Sequence, residues 1–121
     1  MTTHTDSLTA LSHEIYAGNC AVGWWDNTDP QDGYVFTNKL CLIHSEISEA
    51  MEGDRKNLMD DHLPHRKMAE VELADALIRI LDLAAARGYD IGGAVAEKLS
   101  YNAHRADHKR ASRAAAGGKA Y

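Results

Sequence analysis

Between Pro64 and Gly88 no proline or glycine interrupts the chain, and apolar residues recur at helical spacing on more than one side. Met68, Val71, Ile78 and Ala85 form one stripe, and Leu73, Leu77, Ile80 and Ala84 form another. A helix that is apolar nearly all round has to be covered on several sides. A chain of 121 residues has few elements to do this with, so some of the cover is expected from another subunit. No segment alternates with period two over a useful length, which leaves an all-α fold, a bundle of about four helices.

Turn formers mark where the helices stop. Pro30 and Pro64 both sit beside clusters of them and divide the chain. Asp6-Ser7 can cap a first helix through Leu8, Leu11, Ile15 and Tyr16, ending near Gly18-Asn19. From Gly23 to Gly33 the sequence GWWDNTDPQDG reads as a polar loop with two tryptophans. A second helix begins near Thr37 and carries Leu40, Ile43, Ile47 and Ala50/Met51, with Gly53 ending it or loosening its last turn. Residues 53–63 are charged and irregular. Pro64 suits a first-turn position, so the third helix is expected from there to Arg87, with Gly88 as its stop. Asp90 caps a fourth through Ile91, Val95 and Leu99. Residues 1–114 read as a single domain and 115–121 as a flexible tail.

The charge balance narrows the function classes. Eighteen acids against 13 Lys plus Arg give a net charge of −5. A protein that grips a nucleic acid polymer carries the opposite balance. An acidic enzyme with an anionic substrate needs metal ions or a local basic patch. Cys20 and Cys41 show no metal spacing and no CxxC, and read as two free, buried thiols in a reducing compartment. The N-terminus has neither a basic start nor an apolar core region, and no apolar stretch approaches the roughly 18 residues that span a bilayer. A cytoplasmic protein, in a bacterial cell or a phage-infected host, is expected.

Two short segments concentrate the chemistry. The second helix carries Glu46-x-x-Glu49 and the third Glu72-x-x-Asp75. A spacing of three puts each pair on one helix face, about one turn apart. The first pair shares a side with Leu42, and Asp75 lies in line with Val71 and Ile78, so the carboxylates are expected to face the bundle. A single such pair is ordinarily a solvated one that meets Lys or Arg. Two pairs inside apolar stripes are a different matter, because like charges held close and away from water do not all stay ionised. Divalent cations relieve that crowding. Magnesium prefers oxygen ligands and keeps several waters, whereas zinc wants His or Cys, and a ferritin-like di-iron site wants Glu-x-x-His. Glu52 continues the spacing and reads as exposed or as an extra ligand, and Asp82 reads as a member of a structural ion pair.

With Lys98-x-x-x-Asn102-x-x-Arg105 following the two acid pairs, the chain resembles the MazG-like all-α nucleoside triphosphate pyrophosphohydrolases over roughly Asn38 to Arg105. The resemblance implies a helical bundle completed by dimerisation, as a homodimer or homotetramer. The implied reaction is NTP + H2O → NMP + PPi with Mg²⁺, for which Mn²⁺ is a substitute. Glu46, Glu49, Glu72 and Asp75 would be the metal ligands. Glu49, or else Glu46, would also hold and deprotonate the attacking water. Lys98, Asn102 and Arg105 would contact the triphosphate, and Asn38 would approach the nucleotide. The stretch DRKNLMDDHLPHRKMAEVELAD and the Gly-Gly-Lys ending look most like short phage and bacterial versions, which implies deoxynucleotides and, first among them, dGTP.

Other residues keep two readings. Trp24 and Trp25 could stack on a base, Trp25 being the candidate, or seal the bundle end or an interface. Tyr34 and Phe36 share that ambiguity. His44 reads as a core or interface histidine or as a support for the nearby Glu46, and His62 and His65, which flank Pro64 in the loop between the acidic helices, could reach the base or phosphates. His104, His108, Lys109, Arg110 and Arg113 extend the basic patch or simply solvate a helix end. Two rival functions remain: a non-catalytic, metal-binding dimerisation module, and a phosphohydrolase of monophosphates.

Overall fold

A computed structural model describes residues 3–105 and 110–119. Four long helices, α1 (His4–Ala21), α2 (Gly33–Arg55), α3 (Met68–Ala86) and α4 (Ile91–His104), precede a short α5 (Arg110–Ala114). The third helix is the central one. It packs along α2 and α1, while α4 lies mainly against α1, and no α2–α4 contact occurs among the described residues. None of the helices is long and apolar enough to cross a membrane.

The boundaries follow the caps. Thr3 accepts from Asp6 N, and Asp6 accepts from Thr3 N, so α1 starts one turn before the expected Asp6-Ser7. Asp32 accepts from the Tyr34 amide and opens α2 a full turn ahead of Thr37. The start of α3 is later than Pro64 for a tertiary reason. The Arg66 amide donates to Leu63 O, which makes Pro64 the second residue of a turn rather than the first of a helix. That turn folds the chain back, so that Asp60 N donates to Arg66 O and Met68 N to Leu58 O. One stop and one start match the sequence. Gly88 takes φ +74, with its own amide and that of Tyr89 bonded to Ala85 O and Ala84 O, and Asp90 caps α4 by accepting from Gly93 N.

Gly53 does not end α2; it lies inside the helix, buried, where a Cβ would press on the Met68 side chain at 2.8–3.0 Å. Gly53 near the end of α2 thus meets Met68 at the start of α3, while Glu46 pairs with Arg79 further along α3. The two helices therefore run antiparallel.

Trp25, Ile43, Ala76 and Leu83 form the core, with Tyr16, Val35, Phe36 and Ala86 packed on it. Tyr16 meets Trp25 edge to face at 5.7 Å between centroids. The Ser12 hydroxyl, fully buried, donates to Leu81 O and ties α1 to α3. Both cysteines are free, as expected, but they are exposed rather than buried. The second apolar stripe of α3 is largely uncovered: Leu73, Leu77 and Ile80 remain exposed, as do Ile47 and Met51 on α2.

Candidate metal centre

The antiparallel α2–α3 pair brings the acids together. One carboxylate oxygen from each of Glu46, Glu72 and Asp75 lies within 4.8 Å of the others. Glu49, more exposed and one turn along α2, is close enough to hydrogen-bond with both Glu46 and Glu72. Three of the four predicted acids therefore converge, with Glu49 beside them, and they come from two helices that only packing holds in register.

Crowding shows in their protonation. Burial, followed by hydrogen bonds to Glu46 and Glu49, pushes Glu72 up to about 8. Burial also works against the charge on Glu46, but hydrogen bonds from Glu72 and Arg79 outweigh it and hold Glu46 below its ordinary value. Asp75 is raised by burial and by the Glu46 charge, with Arg79 offsetting part of the effect and Asp60 adding to it. Crowding thus favours the protonated form of Glu72 and the charged form of Glu46.

The donor set fits a hard divalent cation. It is all oxygen, with no His or Cys among the clustered residues. Oxygens around an octahedral magnesium at about 2.1 Å lie at most about 4.2 Å apart, so the observed separations need only a small side-chain adjustment.

Beside the acids opens a cavity of about 270 Å³ lined by Asn19, Trp24, Lys39, Glu46, Asp75, Ile78, Arg79 and Asp82. Several of these were not singled out by sequence. Arg79 Nε donates to Glu46 Oε1 at 2.9 Å. Lys39 Nζ sits 4.6 Å from the centroid of the Trp25 ring. Asp60, buried in the 56–67 loop, accepts from the His62 and Leu63 amides and lies near enough to act on Asp75. The only sequence signal for Arg79 is its i+4 spacing from Asp75; for Asp60 none exists, since a loop acid has no periodicity.

The tryptophans divide in the opposite sense to the expectation. Trp25 is 7% exposed and its Nε1–H donates to both Asp82 oxygens at 3.0 and 3.2 Å. It is a core residue, because a buried indole needs an acceptor and Asp82 supplies one. Trp24, 70% exposed, is the ring that faces the cavity. Asp82 correspondingly has an indole partner, not the cation expected of an ion pair.

The predicted phosphate contacts lie elsewhere in the single chain. Asn38 is exposed on α2, and its neighbour Lys39 lines the cavity instead. Lys98 Nζ and the Arg105 guanidinium flank the Tyr101 ring at 4.5 and 5.9 Å, and Asn102 is half-buried. None of the three lines the cavity, and their helix does not touch α2. His104 bonds Ser100 O through Nδ1, while His44, His62 and His65 are exposed. Arg110 and Arg113 are in α5; His108 and Lys109 lie outside the described residues. Comparison with family models, with curated proteins and with solved structures found no match.

Proposed function

We propose that this protein is a MazG-like nucleoside triphosphate pyrophosphohydrolase, using Mg²⁺ to split a (d)NTP into the monophosphate and pyrophosphate. The observation that carries the reading is the convergence of carboxylate oxygens from Glu46, Glu72 and Asp75 beside a cavity that also presents Trp24, Lys39 and Arg79. An isolated acidic cluster would suit any cation. An indole and two cationic side chains next to it suit a ligand with an aromatic base and a phosphate chain.

Glu46, Glu72 and Asp75 would hold the cation, and Glu49 would complete the set and take the proton of the attacking water. Bound Mg²⁺ supplies charge neutralisation at the α-phosphate and a more acidic water. Lys39 and Arg79 would contact the phosphates from within the same chain. The preference for a purine deoxynucleotide, dGTP first, rests on the resemblance to short phage-type members alone.

A single chain supplies only part of such a site. The cavity is at the small end of ligand pockets, which run from about 300 Å³ upward. The uncovered stripe of Leu73, Leu77 and Ile80, with Ile47 and Met51, is what a homodimer would bury. A second copy would also be the source of Lys98, Asn102 and Arg105 at the phosphates.

Incubation with each of the NTPs and dNTPs plus Mg²⁺, with products resolved by chromatography, tests the reading. Monophosphate and pyrophosphate in equal amounts are expected. Orthophosphate alone points to a phosphatase, and no turnover to a non-catalytic module. Glu49→Gln and Asp75→Asn should each lower turnover by about two orders of magnitude or more, with helicity retained.

A further inference from the structure

We propose that Arg79 is a positioning residue with two alternative partners: it holds Glu46 as seen here, and it turns to the substrate's phosphates when a cation occupies the acids. The inference rests on the pyrophosphohydrolase reading and adds to it a coupling between cation and phosphate binding.

The ion pair is unlike its fellows. Glu52–Arg55, Glu52–Lys56 and Arg66–Glu70 join residues three or four apart on the surface, whereas Arg79–Glu46 bridges two helices. Its two members differ in freedom: the Glu46 side chain is 12% exposed and that of Arg79 is 42% exposed. The carboxylate is therefore fixed, and the guanidinium stands at the cavity wall. Only Nε is engaged; the terminal nitrogens make no hydrogen bond among the described residues. An arginine has five N–H donors in a planar fork, a shape that matches phosphate oxygens.

Glu46 is also one of the three carboxylates whose oxygens cluster. A cation on those oxygens and the Arg79 guanidinium would compete for the same carboxylate and repel each other. Arg79 lies one turn beyond Asp75 on the same face of α3, at the point where the acids give way to the cavity. A long, half-exposed side chain can swing there by rotamer changes alone, without backbone movement. Lys39 is anchored on the Trp25 ring and has less freedom. Arg79 thus serves as Glu46's counter-ion in one state and as a phosphate clamp in the other. Cation and phosphate must then favour each other's binding, by the same factor in both directions.

The test measures Mn²⁺ binding by calorimetry for the wild type, Arg79→Gln and Arg79→Lys, with and without pyrophosphate as the probe anion. Arg79→Gln should bind Mn²⁺ alone at least as tightly as the wild type, since a competing cation is gone. Pyrophosphate affinity of its Mn²⁺-loaded form should fall about tenfold or more, the usual loss of a charge-assisted hydrogen bond. Arg79→Lys keeps the charge without the fork, and should fall between the two. It also keeps the question open to measurement if circular dichroism shows Arg79→Gln unfolded. Weaker Mn²⁺ binding in Arg79→Gln, or unchanged pyrophosphate affinity in either variant, overturns the proposal while leaving the metal centre standing. If the wild type binds no Mn²⁺, or Glu72→Gln binds it unchanged, the proposal fails together with the reading beneath it.

Discussion

Glu72→Gln should stabilise the protein at alkaline pH in EDTA and remove its stabilisation by Mg²⁺. Glu72 is pushed from an ordinary 4.5 to about 8 by burial and by its acidic neighbours. Between those values the folded chain keeps a proton that the unfolded chain has released, so stability is full below about 4.5 and declines as pH rises through 8. Asp75, raised from 3.8, acts in the same direction. The whole shift corresponds to a ceiling of about 5 kcal/mol. Partial exposure of Glu72 and solvent screening reduce this to about 2 kcal/mol. For a chain of this size that is a Tm difference of about 8 °C. Glutamine mimics the protonated acid and does not titrate, so it should escape the loss. Thermal unfolding by circular dichroism at about pH 5.5 and about pH 8.5, in EDTA and in Mg²⁺, measures all four conditions for both proteins. Wild type should lose stability towards high pH in EDTA and regain it with Mg²⁺, while the variant loses less, keeping only the share due to Asp75, and gains nothing from Mg²⁺. If Glu72→Gln is no more stable than wild type at the higher pH in EDTA, the crowding argument is wrong.

Three further perturbations probe the scaffold. Gly92→Ala would drive a Cβ into Thr5 O and Thr9 Oγ1, separating α1 from α4 at a cost of about 2–3 kcal/mol. Gly33→Ala, with nothing near its Cβ, should change urea stability little, and equal losses in both would refute the contact. Asp82→Ala strands the Trp25 indole N–H in the core, costing about 1–3 kcal/mol with a shift in tryptophan emission; an unaltered urea midpoint would deny that bond its role. Leu77→Glu places a charge on the uncovered stripe of α3. Sedimentation should then show a smaller species, with monomer stability changed by less than about 0.5 kcal/mol; an unchanged sedimentation coefficient argues against this face as the dimer contact.

Much of the scaffold was legible because helices obey a local period. The third helix could be read from its unbroken apolar recurrence, its stop from Gly88 and the start of α4 from Asp90. The pairing of Glu46 with Glu49, and of Glu72 with Asp75, is likewise a matter of turns within one helix. Pro64 misled because proline suits both a helix start and a turn, and the hydrogen bonds of the 56–67 loop chose the turn. Gly53 lies in the last turn of α2 without ending it, and its missing side chain makes room for Met68, a neighbour fifteen positions away that no local pattern reveals.

By itself, the amino-acid order determined that the chain is helical, which acids share a face, and that α3 has apolar surface to spare. Tertiary packing decided that the two acid pairs meet, that Arg79 and Asp60 join them, and that Trp25 is buried while Trp24 lines a cavity. The physical reason is range. Spacing within a helix follows from backbone geometry and can be counted along the chain. Distances between helices depend on how side chains interlock and where a loop lets the chain return, and neither is written in any single segment.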